Sequence, residues 1–204
     1  MMHNFHSLFI LIFISNFTFS TNWVGFDSSL PAKFEAKSIQ SSSESSEVQF
    51  KLNGYSLTPI ETQWGTHYKV ETEGGSSIMK SGNPDLDQVF ASLVVPDNTS
   101  SRLEIVSSSF TEIENIDVAP SKGNLTRDVS PSDIPFSKSV TYNQNKFYPG
   151  ELASLRDPYI LRDFRGQTVV SYPFQYNPVT RTLRVYTDIT CLLYTSDAAD
   201  ETGR

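Results

Sequence analysis

Nucleophilic catalysis needs a base beside a nucleophile and a third group to orient the base. The chain offers three histidines and one cysteine for that work. His3 and His6 stand in an N-terminal apolar leader, and Cys191 stands in a C-terminal run of a different character, which leaves His67. His67 lies beside Tyr68 in a stretch that reads as a strand, with no nucleophile motif around it, and is read as a structural or surface histidine. Two acidic groups invite a metal reading: Asp85 with Asp87, and Glu112 with Glu114 and Asp117. Neither has the spacing of an EF-hand or a zinc set. They read as solvated faces, with a weak calcium site as the alternative. Asn98-Thr99-Ser100 and Asn124-Leu125-Thr126 match the glycosylation sequon, which matters only in a eukaryotic secretory pathway and otherwise marks loops. No catalytic residue, metal site or cofactor is therefore expected in this chain, and its function should lie in binding.

Both ends of the chain are set apart from the fold. Leu8–Ile14 is a short apolar run, and Thr18 and Ser20 supply small residues at −3 and −1 of a cleavage site before Thr21. Residues 1–20 read as a secretory signal peptide, too short to span a membrane, although the run is preceded by no Lys or Arg. At the other end, Cys191-Leu192-Leu193-Tyr194-Thr195-Ser196-Asp197-Ala198-Ala199-Asp200-Glu201 looks like a translated sequencing-library adapter. Residues 191–204 are therefore expected to be an artefact tail outside the fold, with a break after Thr190. Setting aside Asp197, Asp200, Glu201 and Arg204 changes the net charge from −7 to −5. That mild acidity argues against nucleic acid or an anionic membrane as the main partner. A cysteine-free secreted domain must rest on its core alone.

The elements between these ends are short strands separated by turn residues. Lys37–Glu47 is serine-rich and reads as a flexible segment, so residues 21–47 form an N-terminal stretch before a domain over 48–190. Val48-Gln49-Phe50-Lys51-Leu52 alternates as a strand should, and Asn53-Gly54 is a hairpin signal. Further strands are expected at Tyr55–Leu57, His67–Val70, Val89–Val95 (stopped by Pro96), Leu103–Ile113 and Ile116–Ala119. Glu151–Leu155 reads as one helical turn. Near the end, Val169, Val170, Tyr172 and Phe174 precede an Asn177-Pro178 turn, and Leu183 and Val185 alternate with Thr182 and Arg184 after it. No window of helical length carries an apolar stripe. Many strands at short spacing imply an all-β fold, an antiparallel β-sandwich of jelly-roll-like type or a barrel.

An ordered series of pieces carries a resemblance. Gly82-Asn83-Pro84, Val106–Phe110, Ala119-Pro120-Ser121-Lys122-Gly123, Tyr142 with Lys146-Phe147-Tyr148-Pro149-Gly150-Glu151, Asp157-Pro158, Ile160-Leu161-Arg162-Asp163, Arg165-Gly166-Gln167 and Gln175–Thr180 follow one another at matching spacing. Together they resemble the N-terminal propeptide of gingipain-type, caspase-like cysteine peptidases. The resemblance implies a β-sandwich prodomain, removed on maturation, that assists folding and keeps a cysteine-type endopeptidase latent as a zymogen. It implies a partner in cis, the caspase-like peptidase domain, whose Cys-His pair lies outside this chain. It also implies secretion through the type IX route, from the periplasm to the extracellular space or outer-membrane surface of a Bacteroidetes-like bacterium.

The resemblance also points to residues. In arginine-specific members a basic side chain in the loop after Ala-Pro-Ser-Lys-Gly enters the specificity pocket, and Arg127 matches that position, with Lys122 as the lesser candidate. A guanidinium pairs bidentately with a pocket carboxylate, which an ammonium cannot match. Read from the residues alone, Arg127 would be a solvated loop arginine beside Asp128. Arg162, Asp163 and Arg165 are expected to form an ion pair that fixes the loop before the last hairpin. The competing function class is a stand-alone secreted sandwich for adhesion or carbohydrate binding, which would need a groove of exposed aromatics among Tyr142, Phe147, Tyr148, Tyr172, Phe174 and Tyr176.

Overall fold

The computed structural model describes residues 22–26, 29–42 and 44–197. The signal peptide expected at 1–20 and the last part of the expected tail, 198–204, lie outside the described residues. The described residues form thirteen strands: β1 Asn22–Gly25, β2 Glu35–Ser41, β3 Ser45–Lys51, β4 Gly54–Thr62, β5 Gly65–Glu71, β6 Ser76–Ser77, β7 Asp87–Val95, β8 Thr99–Ile113, β9 Ala153–Leu155, β10 Tyr159–Leu161, β11 Phe164–Ser171, β12 Phe174–Asn177 and β13 Thr182–Asp197. Helix among the described residues is limited to 3-10 turns at Pro131–Asp133 and Val140–Asn143.

The strands form an antiparallel sandwich. One sheet runs β10-β11-β7-β6 with β9 on β11; its partner runs β12-β13-β3-β2 with β8 on β13; a third, smaller sheet is β1-β4-β5. Alternation explains the packing, because every second residue of a strand faces the same layer. Val48 and Phe50 of β3 and Tyr186, Ile189 and Cys191 of β13 meet Val89 of β7 and Val169 of β11. A second cluster joins Tyr55 and Val70 of the small sheet to Phe174, Tyr176, Leu183 and Val185 of β12 and β13, with Leu86, Ile116 and Val118 from the connections. Phe174 and Leu183 are fully buried. Each such side chain stabilises the fold by about 1.5–3 kcal/mol through apolar burial.

Several local expectations are corrected. The strand expected to run unbroken from Val169 to Phe174 is interrupted at Pro173, which has no N–H to give to a ladder. β11 therefore pairs with β7 and β12 with β13, so the chain changes sheets there. Asn53-Gly54 does not close a hairpin, since β3 pairs with β2 and β13 while β4 pairs with β1 and β5. The serine-rich stretch is not a linker. β2 and β3 form a hairpin across it, with Ser41 opposite Ser46. Ser42 closes the turn, its amide donating to the Ser45 carbonyl at 2.8 Å and its Oγ accepting from the Ser45 amide at 3.1 Å. Serine hydroxyls solvate an exposed edge strand at no cost to its ladder. Glu151–Leu155 makes no helical turn; Ala153–Leu155 is extended and pairs with β11.

The largest correction concerns the C-terminal end. β13 does not stop at Thr190 but continues to Asp197 between β3 and β8. Cys191 and Leu193 are buried. Burial pushes the Cys191 thiol up to about 11. The physical reason is that Cys-Leu-Leu-Tyr-Thr keeps strand composition and the two-residue period, so it satisfies the ladder whatever its origin. A register shift against β8 falls between Thr190 and Cys191, at the expected junction.

Candidate functional site

Between β8 and β9 the chain leaves the sheets and makes a long excursion whose base is a two-residue hub. The Gly82 amide donates to the Ser121 carbonyl at 2.8 Å, and the Ser121 amide donates to the Asn83 carbonyl at 2.7 Å. On the return, the Ser139 amide donates to the Gly82 carbonyl at 2.8 Å. The buried Asn83 Oδ1 then accepts from Ser139 Oγ at 2.8 Å and from Thr141 Oγ1 at 2.6 Å. Both ends of the 121–139 loop are thus tied to Gly82 and Asn83. Glycine is required there: Gly82 has φ +76°, and a Cβ would stand 3.1 Å from the Ser139 amide nitrogen. Beyond Ser139, Tyr142 donates its hydroxyl to the Val118 carbonyl at 2.9 Å, and burial raises its pKa.

Side chains brace the loop between these ends. Lys122 donates to the Pro131 carbonyl at 2.6 Å, and its ammonium lies 4.1 Å from the centroid of the Phe136 ring. Gln63, at the tip of the β4–β5 hairpin, donates to the Phe136 carbonyl at 2.6 Å. Lys138 sits over two rings, 4.5 Å from the Trp64 centroid and 5.1 Å from that of Tyr142. Burial lowers the Lys138 pKa against the raising charge of Asp117. Each cation–π contact at such an exposed site is worth about 0.5–1 kcal/mol.

Arg127 stands at the outer end. The Val129 amide donates to the Thr126 carbonyl at 3.1 Å, which makes Arg127 and Asp128 the two central residues of a β-turn. Arg127 is exposed, and no hydrogen bond or ion pair holds its guanidinium among the described residues. A hydrogen bond from Thr126 holds the exposed Asp128 carboxyl below its usual range. The two basic candidates are therefore unlike: Lys122 is spent inside the loop and Arg127 is presented by it.

The other residues singled out in the sequence fall elsewhere. Arg162 and Asp163 form the tight turn between β10 and β11, both exposed, with Arg162 at φ +55°. The expected ion pair is corrected: among the described residues none joins Arg162, Asp163 and Arg165; the first two are exposed in the turn, whereas Arg165 is half-buried in β11 opposite Val95. His67 is buried in β5, its Nδ1 3.1 Å from the Gly65 carbonyl and 3.2 Å from Thr62 Oγ1, and among the described residues no cysteine or serine hydrogen-bonds to it. Asp117 is paired with Arg181 at 2.7 Å, and Glu112 with Arg184 at 2.7 Å. Asp85 and Asp87 are not a solvated face. Burial raises both carboxyls, Asp87 to about 6. No group of three or more metal-ligating side chains occurs among the described residues. Of the aromatics a sugar groove would need, Phe174 and Tyr176 are in the core.

Sequence reasoning missed the hub and the brace. Gly82-Asn83 was visible only as a turn, and Gln63 is 73 residues from Phe136 with no local pattern linking them.

Comparison with known proteins agrees with this architecture. The family model Propeptide_C25 matches residues 33–204. Gingipain R1 of Porphyromonas gingivalis is 45% identical over 143 residues, covering 70% of this chain and 14% of that protein. Gingipain R2 of the same organism is 43% identical over 144 residues, covering 71% and 20%. The chain thus spans a fifth or less of the length of these relatives. Among solved structures, a complex of Porphyromonas gingivalis RgpB pro- and mature domains matches with TM-score 0.76 at 38% identity, over 79% of this chain and 85% of that one. A structure on zymogenic latency of gingipain K from the same organism shares the fold, with TM-score 0.73 at 19% identity over 88% and 100%. With the family model matching most of its length and gingipain R1 well above the identity that defines kinship, the chain belongs to the C25 peptidase propeptide family.

Proposed function

We propose that this chain is the prodomain of a secreted, gingipain-like cysteine endopeptidase, and that it holds a caspase-like catalytic domain latent in cis by placing Arg127 in that domain's specificity pocket. The single observation that supports this most is the presentation of Arg127. A guanidinium unpaired among the described residues stands at the tip of a turn whose base is tied to the body of the fold. A surface arginine normally contributes little to its own fold. Placed in a desolvated pocket with a carboxylate at its end, it becomes the kind of anchor that dominates an interface. The same chemistry that lets a peptidase choose arginine in a substrate lets the prodomain occupy the pocket first.

The secretory leader at 1–20 and export across the outer membrane of a Bacteroidetes-like bacterium belong to the same proposal. Among the described residues no helix is long and apolar enough to cross a membrane.

The test is Arg127→Ala in the full precursor. Activity on an arginyl substrate before processing is expected to rise, and inhibition by the separated prodomain to weaken about a hundredfold, the size of a hot-spot arginine. Arg127→Lys should recover part of the inhibition, since the charge returns without the bidentate fork. Unchanged latency in Arg127→Ala would remove this residue from the mechanism. An open frame downstream that encodes no Cys-His peptidase domain would remove the peptidase itself.

A further inference from the structure

We infer that the tip of the β4–β5 hairpin is the positioning device of the 121–139 loop: Gln63 and Trp64, acting on Phe136 and Lys138, keep the loop a closed turn that a peptidase can be plugged by but cannot cut. The inference deepens the reading of Arg127 as a pocket residue and rests on it for its meaning, but not for its test.

A peptidase specific for arginine should cleave after any arginine that it seats, unless the backbone is withheld. Peptide segments docked by backbone recognition lie extended, in β-augmentation-like pairing. The Arg127–Asp128 bond is instead the central bond of a β-turn closed by the Val129-to-Thr126 hydrogen bond. Extending it requires the two sides of the loop to part, and three contacts oppose this. Lys122 on the outgoing side holds the Pro131 carbonyl and covers the Phe136 ring, so it ties the outgoing to the returning side. Gln63 fixes the Phe136 carbonyl. Trp64, half exposed, offers a ring face to Lys138. Gln63 and Trp64 stand in the turn before Gly65, whose φ of +101° closes the hairpin. A rigid sheet element thus grips the returning side, while Gly82 and Asn83 grip both ends.

Closed, the loop is an inhibitor; opened, it is a substrate. Local opening sets the rate at which a folded chain is nicked when reclosing is fast. Weakening the grip should therefore convert Arg127–Asp128 into a cleavable bond while the sandwich stays folded.

The experiment is limited proteolysis of the full chain by trypsin, following the fragment that begins at Asp128 by mass spectrometry, with the urea-unfolded chain as the rate reference. The native chain should resist cleavage at this bond. Gln63→Ala should speed it by up to about tenfold, through loss of one hydrogen bond, and Trp64→Ala by about two- to fivefold, through loss of one cation–π contact. Trp64→Phe should restore resistance, because a ring face returns. Lys138→Gln, an exposed change, should reproduce Trp64→Ala and keeps the test valid if that variant fails to fold. Circular dichroism and thermal unfolding of Gln63→Ala should match the native chain. Equal nicking of native and variant chains at Asp128 would overturn the inference. So would equal resistance, or restoration by Trp64→Leu as complete as by Trp64→Phe. Because trypsin replaces the cognate enzyme, these failures leave the Arg127 reading standing, and unchanged latency in Arg127→Ala leaves the grip standing.

Discussion

Two exposed turns of this molecule each carry an arginine, and they are built on opposite principles. Arg127 tops a loop without strands, tied at its base by five hydrogen bonds to Gly82 and Asn83 and braced by Gln63, Trp64 and Lys138. Arg162 tops a hairpin whose strands β10 and β11 pair regularly, yet whose flanking Ile160, Leu161 and Phe164 are 68%, 65% and 62% exposed. The first spends side-chain and backbone hydrogen bonds on holding one conformation in the absence of a ladder. The second has a ladder and spends nothing further. An arginine on a tip becomes a tool only where the structure beneath it fixes the approach. The contrast can be broken or sharpened at three places.

The largest effect is expected at the hub. Gly82→Ala forces an alanine into φ +76° and brings its Cβ to 3.1 Å from the Ser139 amide. Left-handed backbone and overpacking together should cost about 2–5 kcal/mol. Chemical denaturation of the isolated domain measures that loss. Trypsin nicking within 121–139 shows whether it is concentrated in the loop. A loss under about 0.5 kcal/mol, the range of ordinary surface changes, would mean that the hub does not carry the loop.

A smaller effect is expected just behind the hub, at the buried carboxyls. Burial raises Asp87 to about 6, opposed by the Thr72 amide and Lys69 and reinforced by Glu71 and Asp85. In the unfolded chain it titrates near 3.8. Because the folded value is the higher, the fold favours the neutral acid. The contribution is full below pH 3.8 and is lost as pH rises through 6. Asp87→Asn keeps an acceptor for Thr72 and removes the charge, so it should stabilise the domain at pH 7 by about 1–3 kcal/mol and have little effect at pH 4. Denaturation midpoints at the two pH values decide this. Equal gains at both would place the effect in packing rather than ionisation.

How much of this contrast is legible in the sequence follows from the range of each interaction. The alternation of Val48 with Phe50, and of Leu183 with Val185, is local, and it gives buried strands as expected. The position of Arg127 is legible through resemblance, since a motif before it fixes its place in the chain. Its freedom is not, because that depends on the Asp128 carboxyl accepting from Thr126 instead of pairing with it. Lys122 reads as a second candidate plug until its contact with Phe136 is seen. The split at Pro173 and the hairpin through the serine run need knowledge of which strands pair, and pairing joins residues that no window contains. The continuation of β13 beyond Thr190 was hidden for the converse reason: a segment of foreign appearance still carries the two-residue period that a strand requires.

The smallest effect is expected at the second arginine, and it tests whether the comparison is one of framework or merely of charge. Arg162 adopts φ +55°, which costs an L-residue about 1–2 kcal/mol relative to glycine. Its side chain returns nothing to the fold, because no ion pair reaches it among the described residues. Arg162→Gly should relieve the left-handed strain but give back part of the gain through the larger entropy of the unfolded chain. The net is a stabilisation of a few tenths to about 1 kcal/mol, read as a small rise in the denaturation midpoint. Latency of the precursor should not change, whereas Arg127→Ala should abolish most of it. If removing Arg162 releases the peptidase as Arg127→Ala does, the hairpin is a second contact with the catalytic domain, and a ladder serves that purpose as well as a braced loop.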